Sequence, residues 1–307
     1  MPIDPPNLLA LKAALFPKEE ALEAWSRLKE VFTIDDVHPE LLALIFSNLV
    51  SWLEGDNLFG KLKGCHHYQW SKNQFLRYQL AQRLRLLNQE DIDVLLIGDA
   101  PVASRYFESS GARNLGHFEL FVPREKIREA AALLERSSRA DRNPDKHGFS
   151  ISLRSNILLG PGRDQCLWRH RSRIEILDAT ACILDPVDQL FYALLAINRN
   201  AVALWIIDVL MVASFPELEL NTLDQRAHRY AVTARLKDKV NFFYSQFQPH
   251  PTVPALERIS GLKVDASELL EQCVFGLGAF SSATLRFATT RLRQLKKDKA
   301  VSQAISD

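Results

Sequence analysis

"DIDVLLIGD", residues 91–99, decides how the middle of this chain is read. Its apolar centre is a short continuous run closed by Gly98, the pattern of a strand buried on both faces. Asp91 and Asp93 stand one residue apart before that run, and a Gly-Asp pair ends it. The aspartates are either a metal-binding pair or the polar mouth of a strand, and the order of the neighbouring parts separates the two. Downstream, "APVASRYFESSG" reads as a helix, "HFELFVP" alternates like a strand, "REKIREAAALLERSSR" is helical again and "GFSISLRS" alternates once more. Strand, helix, strand, helix, strand is a small α/β unit.

On both sides of this unit the period is helical. Upstream, "ALEAWSRLKEVF", "ELLALIFSNLVSWLEG" and "NQFLRYQLAQRLRLLNQE" carry apolar residues at helical spacing, the second stopping at Gly55. Downstream, "DPVDQLFYALLAINRN" has an acidic, proline-bearing start suited to a helix N-terminus. "AVALWIIDVLMVASF", "LDQRAHRYAVTARLKDKVNFFYSQF" and "LRFATTRLRQLKKDK" follow, with "QPHPTVP" as a proline-rich break before the last. The basic tail "RLRQLKKDKA" reads as a solvated helix end. We therefore expect an α+β protein with a small mixed-sheet core. Residues 1–88 form an N-terminal helical region, 89–184 the core and 185–307 a larger C-terminal helical region.

Composition narrows the partners. With 38 basic and 37 acidic residues in 307 the formal charge is +1, so no global field draws the chain to nucleic acid or anionic lipid. Cys65, Cys166, Cys182 and Cys273 lie far apart with no Cys-x-x-Cys pair, against a disulfide framework or a structural zinc site. The N-terminus carries acids and prolines in place of a basic stretch followed by an apolar one, so a cytoplasmic location is the expectation. The most apolar run contains Asp208 and is shorter than the about 20 apolar residues a bilayer span needs, which makes it a buried helix and argues against a membrane.

"DVLLIGDAPVASRYFESSGARNLGHFELFVPREKIREAAALLE" resembles the core of a bacterial nucleotidyltransferase-like family of the DNA-polymerase-beta type. That family's pattern runs Leu-Lys-Gly, a helix with a tyrosine near its end, an arginine, Asp-x-Asp, two apolar residues and a further helix. "CLWRHRSRIEILDATACILDPVDQLFYALLAINRN", then "ALWIIDVLMVAS", resembles its passage into a helical half, so the likeness covers roughly residues 70–215. The chemistry it implies needs each part. A glycine-led turn lets backbone N–H groups approach phosphates. Two carboxylates at i and i+2 of the next strand share a face and hold Mg²⁺, and a third on a later strand completes a two-metal clamp.

Carried over position by position, Gly98 matches the family glycine, Asp99 the residue after it, and Ile97 stands where lysine is usual. Tyr106 fits the tyrosine and Arg113 the arginine, with a phosphate-contacting role. The Asp-x-Asp falls on His117, Phe118 and Glu119. Ser152 and Arg154 stand where the family tends to have an acid and a histidine. Asp91 and Asp93 precede the strand and its turn, whereas the family's metal pair follows them, so they read as the lead-in from helix to strand. Glu119 alone then supplies a carboxylate, and His117 is a poor Mg²⁺ ligand.

Two outcomes follow from the resemblance. One is a relative with a degenerate metal site that binds a nucleotide, a phosphorylated ligand or a protein partner through Gly98, Asp99, Arg113, Ser152 and Arg154, with no metal. The other is an active enzyme moving a nucleoside monophosphate from a Mg²⁺- or Mn²⁺-bound triphosphate to a hydroxyl, with Glu119 as metal ligand and His117 with Glu119 as an acid–base pair. The resemblance also implies a place in a bacterial biosynthetic operon. A helical interaction module without a ligand is the third class.

Weaker constellations remain. "GCHHYQW" gathers Cys65, His66 and His67 but reads as a loop, since no second cluster supplies further ligands. Cys166 and His170 are spaced to share a helix face, without a visible orienting group. "LWRHRSRIEI" sets Arg169, His170, Arg171 and Arg173 beside Trp168, either an exposed basic loop or an edge where phosphate meets cations and Trp168 stacks on a base. "LLGPGRD" makes a turn.

Overall fold

The apolar run folds as β1 (Leu95–Ile97), the central strand of a five-stranded mixed sheet. The structure is a computed structural model that describes residues 3–140, 150–155, 164–196, 201–249 and 252–264. Strand β2 (Phe118–Phe121) lies antiparallel to β1 with Glu119 opposite Ile97, and β3 (Ile151–Arg154) lies parallel to β2 with Ser152 opposite Glu119. On the other side of β1, β5 (Ala179–Ile183) runs parallel to it and pairs antiparallel with β4 (Ser172–Ile176), giving the order β3-β2-β1-β5-β4. The last two strands depart from the sequence reading, which placed only a transition there. An alternating pattern is present in "RIEI" and a short apolar run in "ACIL", but they sit beside an arginine cluster that reads as a loop.

Among the described residues, eleven α-helices surround the sheet, and the class is α+β. Before β1 come α1 (Pro5–Leu15), α2 (Lys18–Val31), α3 (Pro39–Leu49) and α4 (Phe59–Gln89). Within the core lie α5 (Asp99–Arg105) and α6 (Ile127–Ala140). After β5 come α7 (Pro186–Leu195), α8 (Val202–Ala213), α9 (Leu220–Tyr230), α10 (Thr233–Gln246) and α11 (Pro254–Gly261). The downstream stretch read as one helix splits into α9 and α10 because Ala231 takes the left-handed conformation, φ +51°. The final helical stretch, the basic tail, Cys273 and most of "LLGPGRD" lie outside the described residues.

The period-2 alternation of strand side chains divides the interior into two cores. Leu96, Phe118, Leu120 and Ile183 face one side, where Leu76, Leu80, Leu84 and Leu87 of α4 and Ala130 and Leu134 of α6 cover them. Leu95, Ile97 and Phe121 face the other, packed with α1, α3, α7 and α8. Glu119, between Phe118 and Leu120, therefore points to the side of α1, α3, α7 and α8. Helix α4, counted with the N-terminal region on sequence grounds, is thus one layer of the core.

Helix α4 also corrects the reading of "GCHHYQW" as a loop, because the segment is helical throughout. No proline interrupts it, and its polar side chains have a structural use. Buried Asn73 donates to the carbonyls of Ser110 (2.6 Å) and Arg113 (2.7 Å) and accepts from the Leu115 N–H (2.9 Å), while His66 meets the Ser109 hydroxyl at 2.7 Å. These bonds hold the segment that presents Arg113.

Candidate functional site

The turn after β1 requires glycine: Gly98 has φ +79° and ψ −140°, a conformation side-chain-bearing residues rarely adopt. It opens α5, whose first residue is Asp99. A Cβ at Gly98 would lie 3.4 Å from Glu119 Oε2, so the turn and β2 share one cleft. Arg113, His117 and Arg154 line the same cleft with Gly98, Asp99 and Glu119, and its volume is about 630 Å³. Ser152 does not line it but sits beside it, accepting or donating one hydrogen bond to His117 Nε2 at 3.0 Å. Asp91 and Asp93 are exposed outside the cleft, before β1, with Asp93 3.4 Å from Arg171.

The groups in the cleft are paired to one another. Glu119 Oε1 accepts from Arg154 at 2.5 Å, and Oε2 accepts from the Tyr192 hydroxyl of α7. Burial and the neighbouring Glu119 carboxylate both push the Tyr192 phenol upward, so it stays a donor. His117 Nδ1 meets the Ser150 hydroxyl at 2.6 Å, so both ring nitrogens face serines.

Arg113 is held differently from what the family pattern implies. Its Nε and Nη2 donate to both oxygens of Asp208 on α8 (2.8 and 3.0 Å), and Nη1 donates to Glu40 of α3 (2.6 Å). Asp99 Oδ1 lies 3.3 Å from Nη2. With a side chain only 5% exposed, the guanidinium is taken by carboxylates, and the phosphate contact expected of it has no free N–H to use. Asp99 is pushed up to about 6, chiefly by burial, with Asp208, Glu40 and Glu119 raising it further against the pull of Arg113. Sequence reasoning missed Glu40, Asp208, Tyr192 and Asn73. The signal for Asp208 was its position as the lone acid in "ALWIIDVLM", since a charge on a buried helix face implies a partner.

No protein-family model, curated protein or solved structure matches this chain. Among the described residues, no helix is long and apolar enough to cross a membrane.

A second cluster lies at the start of α7. His170, Asp185 and Asp188 bring one ligand atom each within 4.8 Å of one another, a spacing that could hold a metal ion. Arg226 Nη1 already sits against both carboxylates, forming an ion pair with Asp185 and lying 3.4 Å from Asp188 Oδ1, so an ion would have to displace it. Tyr230 donates to Asp188 Oδ2 at 3.1 Å, and His170 Nδ1 lies 3.3 Å from the same hydroxyl. His170 pairs with this network and not with Cys166. Trp168 is also engaged: it stacks on Phe121 (5.4 Å between centroids) under the Arg171 guanidinium, which leaves it occupied as a base platform.

Burial first, and Asp185 second, push Asp188 up to about 7 against the pull of Arg226 and Tyr230. The folded state thus binds this proton more tightly than the unfolded chain, and the contribution to stability is lost as pH rises from about 4 to about 7. Asp188→Asn removes that loss. Its stability relative to wild type is expected to rise between about pH 4 and about pH 7 in urea unfolding. His170, whose pKa burial lowers, acts in the opposite direction. An unchanged difference across that interval would refute the assignment.

Proposed function

We propose that this chain is a nucleotidyltransferase-like protein whose cleft binds a small ligand without transferring a nucleotidyl group. One arrangement supports this above others. At the strand positions where the resembling family has its metal carboxylates, His117 is bound to two serines and both Glu119 oxygens are taken by Arg154 and Tyr192. Mg²⁺ needs several free oxygen ligands in near-octahedral array, and this strand face offers one carboxylate that is already paired. The start of α5 agrees, because Asp99 puts a negative charge where a phosphate would be held.

The test is titration of the full chain with ATP, GTP, CTP and UTP, each with and without Mg²⁺ or Mn²⁺, alongside an assay for pyrophosphate release. No turnover is expected with any of the four, and nucleotide binding should gain nothing from the metal. Metal-dependent turnover that disappears in Glu119→Ala would restore the transferase reading, with Glu119 as its metal ligand.

A further inference from the structure

The cleft carries more negative than positive charge. Glu40, Asp99, Glu119 and Asp208 line it against Arg113 and Arg154, a formal surplus of two carboxylates at neutral pH. A buried surplus of this kind disfavours a free anion and attracts a cation. The cation need not be a metal: among the described residues, the one group of His, Cys, Asp or Glu with metal-ligand spacing is His170, Asp185 and Asp188, away from these carboxylates.

An independent observation points to an occupant with hydrogen-bonding groups. Gln189 of α7 lines the cleft and is 1% exposed, yet neither its Oε1 nor its Nε2 has a hydrogen-bond partner among the described residues. Asn114 Oδ1, on the same wall, is also buried without one. Buried carboxamides are almost always satisfied, and leaving one unpaired is costly. Beside these groups, Leu204 and Trp205 supply an apolar wall. The volume suits a small organic molecule.

We propose that the cleft binds a small organic cation bearing an amine or guanidine, with Asp99 as its principal counter-charge and Gln189 as a hydrogen-bonding partner. Asp99 is the suited carboxylate because its side chain is 41% exposed and makes the longest of the three carboxylate contacts to Arg113, whereas Glu40 and Asp208 are more buried and more tightly engaged. An incoming cation would offset part of the negative surplus that Arg113 and Arg154 leave. This rests on the reading of the cleft as a ligand site.

Calorimetry and thermal melting of the full chain with agmatine, 1,4-diaminobutane and spermidine, against inorganic phosphate and ATP, test it. At least one amine is expected to bind with one-to-one stoichiometry and raise the melting temperature, while phosphate does neither. Asp99→Asn, close to isosteric, should weaken that binding by about tenfold or more. Gln189→Leu, which keeps the shape and removes the carboxamide, should weaken it independently. Asp178→Asn, which alters an exposed residue paired with Arg85 outside the cleft, should leave it unchanged. Binding equal in wild type and both cleft variants would mean surface association only and would overturn the proposal. Nucleotide binding with no amine binding would overturn it while leaving the cleft a ligand site. Silence with every compound would overturn both readings.

Discussion

Arg113→Met is expected to lower the unfolding free energy by about 3–5 kcal/mol, because it removes the one cation that three carboxylates from three parts of the chain share. Glu40 comes from α3, Asp99 from α5 and Asp208 from α8, so the guanidinium ties the N-terminal helices, the sheet core and the C-terminal helices together. Most of the cost falls on Glu40 and Asp208, whose side chains are 15% and 14% exposed; Asp99 is open enough to rehydrate. Without Arg113 those acids must either bury charge or take up protons, so the variant should also recover part of its stability at acid pH. Arg113→Lys should fall between wild type and the methionine variant, since an ammonium cannot reproduce the two-pronged bond to Asp208. Adding Asp208→Leu to Arg113→Met should restore part of the loss by removing an orphaned charge. Equilibrium unfolding in urea measures all of these, and a methionine variant within about 0.5 kcal/mol of wild type would show that the network is dispensable.

Phe118→Ala is expected to cost about 3–5 kcal/mol through the cavity it leaves. Phe118 is fully buried and packs with the residues of α4 and α6 that cover one face of the sheet. Its neighbours on the strand, His117 and Glu119, face the cleft, so loosening β2 should also disturb the pairing of Glu119 with Arg154 and Tyr192. The same unfolding experiment decides it, with Tyr68→Ala as reference. Tyr68 is 73% exposed on α4, and its truncation should change stability by less than about 0.5 kcal/mol. Equal effects at the two positions would contradict the two-core packing.

Much of the architecture was legible because the signals are local. The alternation in "HFELFVP" puts Phe118 and Leu120 on one face and Glu119 on the other whatever the rest of the chain does. The helical stretches behave likewise, and the aspartate-proline start of α7 is the N-cap its residues suggest, with Asp185 accepting from the Asp188 N–H. The hairpin of β4 and β5 was less legible, since it borders an arginine-rich segment that reads as a loop. The helical course of "GCHHYQW" was hidden because its glycine and adjacent histidines mimic a loop, while the contacts that stabilise it are to a segment about 40 residues away.

By itself, the sequence determined the α+β class, the order of the first three strands, the place of Asp91 and Asp93 before β1, and the lack of an aspartate pair at positions 117 and 119. Each of these depends on the identity or spacing of residues within one element. Only the tertiary structure decided that Arg113 is saturated by Asp208, 95 positions away, and by Glu40, that Glu119 is taken by Tyr192 of α7, and that Gln189 lines the cleft without a partner among the described residues. Those facts arise where helices from opposite ends of the chain pack over the sheet. Which buried charges then meet is set by that packing and by the need to pair each one, and no local pattern records it.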